Sequence, residues 1–371
     1  MRIVLAPDKF KGTASATEVA EAMADGVRHL WPHAQLDLCP MSDGGEGFVE
    51  AMLRAAGGQW VTARVTGPLP EMKVDARFGV IHGDTAVVEM SAASGLWRVP
   101  PDQRDPEATT TFGTGELLVA AKRQGCRRIL LGIGGSATID GGIGCCHAAG
   151  LPVILDDGEP SSPTEPLCGR DLPRVVMIKS HRGEQLAGAD ITVACDVTNP
   201  LCGLDGAARV FGPQKGATPA QVERFDAWLD QLARRCGQVD VARLPGAGAA
   251  GGLGFAMVAF FGATLRPGAD VVIEATRLRD RLRGADLCIT GEGRIDRSSL
   301  AGKTPVSVAA ACREAGVRCL AVGGGVDRAV ALPFDRTASL TEITAEASPM
   351  ENPRRWISES VHALLKALTL G

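Results

Sequence analysis

MRIVLAPDKFKGTASATEVAEAMADGVRHL, residues 1–30, is the stretch whose reading decides the fold. The apolar run Ile3 to Ala6 stops at PDKFKGT, after which Val19, Ala22, Met23, Val27 and Leu30 return every three or four residues. A short apolar run reads as a strand, and that spacing as a helix with one buried face. Ser15 and Glu18 stand three apart, the spacing of a capping box that satisfies the free N–H groups at a helix start. The loop Asp8 to Gly12 is therefore held between two rigid elements. The apolar run at Met1 meets Asp8 and Lys9 too early for the core of a signal peptide, so it reads as a first strand.

The same unit recurs at once. Leu36 to Cys39 reads as a strand, MSDGGEG as its loop, and Phe48 to Ala56 as the helix. From Trp60 the pattern changes: VTARV, KVDARFGVI and TAVVEM follow one another across turn residues, as antiparallel strands do. Farther on come a helix at Thr114–Gln124, a strand near Ile129–Ile133, a strand at Ile191–Cys195 and a helix at Pro219–Arg235 with Thr218 and Gln221 at cap spacing. After Asp286 strand and helix alternate again to the end, with Ile357, Val361, Leu364 and Leu368 marking a last amphipathic helix. The expectation is an α/β protein of two domains. Residues 1–60 and 282–371 form a discontinuous, flavodoxin-like parallel-sheet domain, and 61–281 an inserted mixed α/β domain.

Composition narrows the function classes. A length of 371 residues exceeds what one hydrophobic core usually serves, which also favours two domains. A net charge of -4 supplies no broad basic field, so nucleic acid is not the expected partner and any bound anion must be held by local groups. Eleven cysteines, an odd number in a chain this large, read as reduced thiols of a cytoplasmic protein. The uncharged stretch Leu244 to Leu265 is strongly apolar only over FAMVAFFGATL, about half a bilayer span, and reads as a buried core helix. No membrane association is expected.

Ligands of open parallel sheets bind beyond the carboxyl ends of the strands, so the loops there carry the candidates. PDKFKG offers Asp8, Lys9 and Lys11; a lysine suits a phosphate and the aspartate could orient it or take a metal, although the same residues also fit a solvated turn. SDGGEG offers Asp43 and Glu46, which could meet a metal or a substrate hydroxyl, or simply cap the next helix. GIGGSATIDGG, residues 132–142, places Gly134, Gly135, Ser136 and Thr138 where consecutive N–H groups and hydroxyls can cradle an anion. GTGEL at 113–117 has the same character, and tight packing is the competing reading for both. CDVTNP puts Asp196 at a strand end, with Asn199 near it, and VFGPQKG carries Lys215 between glycines. TGEGRIDRSSLAGKTP gathers Glu292, Arg294, Asp296, Lys303 and Thr304, but its Arg297 and its length exclude a Walker A loop. His147, after Cys145 and Cys146, reads as a packed histidine.

Taken in order along the chain, APDKFKGT, SDGGEG, GTGEL, GIGGSAT-DGG, CDVTNPL-G, FGPQKGA and TGEGRID followed by GKTP closely resemble type 1 glycerate kinases. The resemblance implies ATP-dependent phosphorylation of D-glycerate, with 2-phosphoglycerate the usual product, and a flavodoxin-like domain interrupted by a second α/β domain. Ile139 stands where the family pattern has asparagine, Ser298 where it has glutamine and Ser307 where it has glycine. On this reading ATP and Mg2+ are the cofactors, with Mg2+ under Asp196 or Asp296. Lys9, Lys215 or Lys303 and the Ser136 loop hold phosphate oxygens, Asp43 or Asp296 takes the glycerate proton, and Asp8, Glu46, Glu292 and Arg294 contact substrate. A homodimer is compatible with these features. The rival readings are a Mg2+-dependent phosphatase or mutase, and a non-catalytic metabolite-binding regulator of the same fold.

Overall fold

Five parallel strands make the sheet of the first unit, in the spatial order Arg336–Ser339, Arg318–Val326, Leu287–Ile295, Arg2–Leu5 and Gln35–Leu38. Numbered along the chain and read from the Gln35–Leu38 edge, this is 2-1-3-4-5, the flavodoxin order, in which connections wind to both faces from the first strand. The computed structural model describes residues 1–162, 164–179, 184–343 and 351–369. This unit comprises Met1–Asp43, Glu50–Gly57 and Pro267–Gly371. Helix Ala16–Leu30 begins at the expected capping box, with Ser15 Oγ accepting from Glu18 N and Glu18 from Ser15 N. Its Val19, Met23 and Val27 join Ile357, Val361 and Leu365 of helix Pro353–Thr369 over Ile3, Leu5, Ile289 and Leu320 of the sheet. Helix Thr304–Ala315 packs against the strands Leu287–Ile295 and Arg318–Val326.

Two strands run on through glycines that read as loop. Leu287–Ile295 includes GEGRI and Arg318–Val326 includes Gly323 to Gly325, and their parallel register holds from Leu287 opposite Arg318 to Ile295 opposite Val326. Gly291 is there for proximity. A Cβ on Gly291 would lie 2.2 Å from the Val322 carbonyl oxygen. The ladder thus carries Glu292 and Arg294 on a strand rather than on a free loop.

The second unit, Gly44–Val49 with Gly58–Arg266, has a mixed six-stranded sheet. Gln59–Thr66, Lys73–Ile81 and Thr85–Glu89 are antiparallel neighbours, and the sheet continues in parallel through Arg128–Gly132, Asp190–Ala194 and Thr264–Arg266. Phe78, Leu131, Val193, Phe225 and Phe255 belong to its core. Helix Pro219–Arg235 carries the expected Thr218–Gln221 box. FAMVAFF lies in helix Leu253–Phe261, which is buried along most of its length and stops at Gly262 with φ of 66°. Among the described residues no helix is long and apolar enough to cross a membrane.

The GTGEL segment is explained by packing. It lies inside helix Phe112–Arg123, where a Cβ on Gly113 would sit 1.7 Å from the Thr66 carbonyl oxygen and one on Gly115 2.6 Å from that of Cys145. Backbone on both sides cannot yield. Gly113→Ala is expected to destabilise the protein by about 3 kcal/mol, the cost of overpacking where no side chain can move away. The urea midpoint should fall at unchanged denaturant slope.

Candidate functional site

In the first unit the carboxyl end of strand Arg2–Leu5 delivers Asp8 into a buried position. Asp8 Oδ1 accepts the backbone N–H of Lys9 at 2.7 Å, and Oδ2 accepts the Thr304 hydroxyl at 2.7 Å. The Asp8 N–H in turn donates to the Gly291 carbonyl at 2.8 Å, so the loop is fastened to the neighbouring strand. Lys9 Nζ donates to Asp43 Oδ1 at 3.1 Å, which links the PDKFKG loop to the SDGGEG loop. Burial, and next the charge of Asp43, push the Asp8 carboxyl up to about 7, against the opposing pull of Lys9 and the Thr304 hydroxyl. A buried acid that titrates near neutrality beside a lysine and a more exposed carboxylate is the kind of group active sites tune.

The strand Leu287–Ile295 brings a second set to the same sheet end. Glu292 accepts from the Ser299 hydroxyl at 2.5 Å and lies 4.0 Å from Lys303 Nζ. Burial raises its carboxyl above the usual range, while Ser299 and Lys303 oppose. Asp296 caps the short 3-10 turn Arg297–Ala301: its Oδ1 accepts from Ser298 N at 2.8 Å and from Ser298 Oγ at 2.6 Å, and Arg294 Nε lies 3.2 Å from Oδ2. Those hydrogen bonds hold Asp296 below its ordinary value and keep it ionised. Ser298 thus has a local task on the carboxylate. Ser307 Oγ donates to the Gly302 carbonyl at 3.3 Å in the turn that Lys303 closes.

The second unit holds a separate constellation after strand Arg128–Gly132. Lys215, buried at the end of turn Pro213–Lys215, donates through Nζ to Ser136 Oγ at 2.8 Å and to the Thr138 carbonyl at 2.7 Å. Burial brings its ammonium down to about 7, with Asp140 opposing. Because Ser136 Oγ accepts from Lys215, the serine proton is left to donate elsewhere. Asp140 is fully buried and accepts from Thr111 N at 2.8 Å, Thr111 Oγ1 at 2.7 Å, Gly142 N at 3.0 Å and Gly144 N at 3.3 Å. It ties the loop to the start of helix Ile143–Ala148. The Gly44–Gly45 segment packs on the same loop: a Cβ on Gly132 would stand 2.4 Å from the Gly44 oxygen, and one on Gly134 2.9 Å from Gly45 Cα.

The structure therefore groups Asp8, Lys9 and Asp43, groups Glu292, Arg294, Asp296 and Lys303, and groups Lys215 with Ser136 and Thr138. Asp196 and Glu46 are exposed, and Asn199 Nδ2 donates to the Asp205 carbonyl at 2.8 Å, closing its own turn. His147 is buried against Phe112, as a packed histidine should be. Ile139 is fully buried in the apolar core of the second unit, a use for a side chain that asparagine would fill poorly. Sequence reasoning passed over Asp140, Thr111 and Ser299. A carboxylate inside an apolar, glycine-rich stretch was the available signal for Asp140, since a buried carboxylate needs donors around it.

Comparison with known proteins returns the glycerate kinase family. The sequence model described as the glycerate kinase family matches residues 3–369. The chain is 43% identical over 338 residues to a glycerate kinase of Halalkalibacterium halodurans, covering 90% of this chain and 88% of that protein. It is 47% identical over 314 residues to a glycerate 2-kinase of Escherichia coli, covering 83% and 81%. Among solved structures it resembles a protein described provisionally as glycerate kinase 2 from Salmonella typhimurium LT2, with a TM-score of 0.87, 41% identity and coverage of 100% and 99%.

Proposed function

The chain belongs to the glycerate kinase family, and on that premise we propose that it transfers the γ-phosphoryl group of ATP to a hydroxyl of D-glycerate, giving 2-phosphoglycerate. The observation that carries this reading is the cluster of Asp8, Lys9 and Asp43 at the carboxyl end of a parallel sheet. Phosphoryl transfer asks for positioning, for cations against spread negative charge, and for a carboxylate to take the proton of the attacking hydroxyl. Asp43 is the most accessible member of the cluster and is the proton acceptor. Lys9 holds it in place, and Asp8 fixes the backbone of Lys9 from below. Arg294 and Lys303 are the cations for the glycerate carboxylate and the transferring phosphoryl group, with Glu292 holding Lys303 and Glu46 at the substrate hydroxyls. In the second unit Gly134, Gly135, Ser136 and Thr138 form the anion cradle for nucleotide phosphates, backed by the charge of Lys215.

The carboxylates fit a Mg2+ ion that arrives with its nucleotide. Among the described residues no three carboxylates converge closely enough to build a cage of their own, and Mg2+ usually takes one or two carboxylates together with substrate phosphates. Asp296, ionised and part-exposed, is the better candidate; Asp196, exposed at a strand end, is the other. A Mg2+ held there would neutralise phosphate charge. Asp296→Asn is expected to raise the Mg2+ concentration for half-maximal rate about tenfold or more, because a hydrogen-bonded anionic ligand becomes a neutral one. A Mg2+ titration of the rate at saturating substrates measures this, and an unchanged requirement would shift the role to Asp196.

The two compact units are read as the two domains of such an enzyme. All eleven cysteines are free thiols, which accords with a reducing cytoplasm, and a homodimer is the assembly to be sought by light scattering. The decisive assay couples ADP formation to addition of D-glycerate and identifies the product by NMR. ADP formation with D-glycerate and a 2-phosphoglycerate spectrum are the expected results. Absence of D-glycerate-dependent ADP would overturn the reading, and a 3-phosphoglycerate spectrum would overturn the position of transfer.

A further inference from the structure

Away from the carboxyl end of the first unit's sheet, three cysteines meet inside the protein. Cys288 and Cys319 are register partners on neighbouring parallel strands, and Cys312 lies on the helix Thr304–Ala315 that packs on those strands. Side chains alternate along a strand, and Leu287, Ile289 and Leu320 go to the core shared with helices Ala16–Leu30 and Pro353–Thr369. Cys288 and Cys319 therefore go to the opposite face, toward Cys312. The three sulfurs all lie within 4.8 Å of one another, and all three residues are buried. Among the described residues no other three cysteine, histidine or acidic side chains bring ligand atoms so close.

Buried cysteine alone is ordinary, since the thiol packs as a small apolar group. Convergence of three sulfurs from three elements is the uncommon feature. We propose that Cys288, Cys312 and Cys319 form an all-sulfur binding site for a soft monovalent metal ion of the Cu(I) class. A metal–sulfur distance of about 2.3 Å places three sulfurs in a trigonal plane about 4 Å apart, so the preformed triangle needs to contract by less than about 1 Å. Two of the ligands stand on a continuous ladder of backbone hydrogen bonds, and Cys319 N is further pinned to Asp335 Oδ2 at 2.7 Å. Sulfur selects soft ions, while Zn2+ in a structural site takes four ligands and this group offers three. Binding exchanges no electrons: each thiol that becomes a thiolate releases one proton to solvent as the metal–sulfur bond forms.

The test uses the full-length reduced protein, titrated anaerobically with Cu(I) against the chromophoric chelator bathocuproine disulfonate, with native mass spectrometry and the near-ultraviolet sulfur-to-copper band as readouts. One retained equivalent is expected. Cys312→Ala should retain it at least tenfold more weakly, and Cys126→Ala, which alters a buried thiol of the other unit, should retain it as the parent does. The single substitution leaves two of the three thiols in the core, so the parent protein and Cys312→Ala decide the matter. The proposal is overturned if the parent retains no equivalent, if Cys312→Ala binds as well as the parent, or if Zn2+ in a parallel titration is retained and Cu(I) is not.

Discussion

Asp43→Asn is expected to lower kcat with D-glycerate by about 10³-fold, the middle of the range for removing a positioned general base. KM for ATP should stay close to that of the parent, because the loss falls on the proton acceptor. The variant also has a readout that does not depend on turnover. Asp8 is raised to about 7 by burial first and by Asp43 second. A carboxyl raised in the folded state binds its proton more tightly there than in the unfolded chain, so stability declines as pH climbs from about 4 to about 7. A shift of this size corresponds to roughly 4 kcal/mol over that window. Neutralising residue 43 removes one of the two causes, and the decline measured by urea unfolding at pH 5 and pH 8 should become shallower without vanishing. A residue of purely structural importance would change the second measurement and spare the first. Near-parental turnover in Asp43→Asn would remove Asp43 from the chemistry.

Local order was legible in this sequence because its signals are local. The Ser15–Glu18 and Thr218–Gln221 boxes each lie within four residues, and both form. The alternation of strand, loop and helix at either end of the chain, and the quick succession of antiparallel strands after Trp60, follow from hydrophobic spacing alone. What escaped is what spacing cannot encode. GEGRI and Gly323–Gly325 look like punctuation, yet a parallel neighbour supplies hydrogen bonds that keep them extended. The glycines of GTGEL resemble a phosphate loop, and only the closeness of Thr66 and Cys145 identifies them as contact points between elements.

The candidate site divides in the same way. Asp8, Lys9, Asp43 and Asp296 could be singled out by their place after strands, because a parallel sheet presents that edge to ligands. Their mutual arrangement could not. Thr304 reaches Asp8 across 296 residues of sequence, and Asp140 reaches Thr111 across 29. Both are supporting contacts, and both depend on burial, which turns an ordinary hydroxyl or carboxylate into one with an obligatory partner. A motif scan weights residues that are chemically conspicuous, and these partners become conspicuous only when the fold surrounds them.

Lys215→Met tests the second unit. Lys215 lies beneath the Ser136 loop, and its ammonium is held at about 7 by burial. Its charge is therefore partly absent from the free protein at neutral pH, and an approaching phosphate restores it by favouring the protonated form. Three consequences follow for the variant. KM for ATP should rise about 10- to 100-fold, the worth of one hydrogen-bonded charge in a buried setting, with a smaller change in kcat. In the parent, kcat/KM for ATP should fall as pH rises above about 7, because the free protein loses the lysine proton there; in Lys215→Met that alkaline limb should disappear. Stability carries the opposite sign. A lysine depressed in the folded state is the better proton binder when unfolded, so the parent should gain stability as pH rises from about 7 to about 10, and the variant should lack that gain. If the alkaline limb persists in Lys215→Met, the cradle draws its positive potential from elsewhere, and the backbone N–H groups of Gly134 and Gly135 would have to hold the phosphates without a lysine behind them.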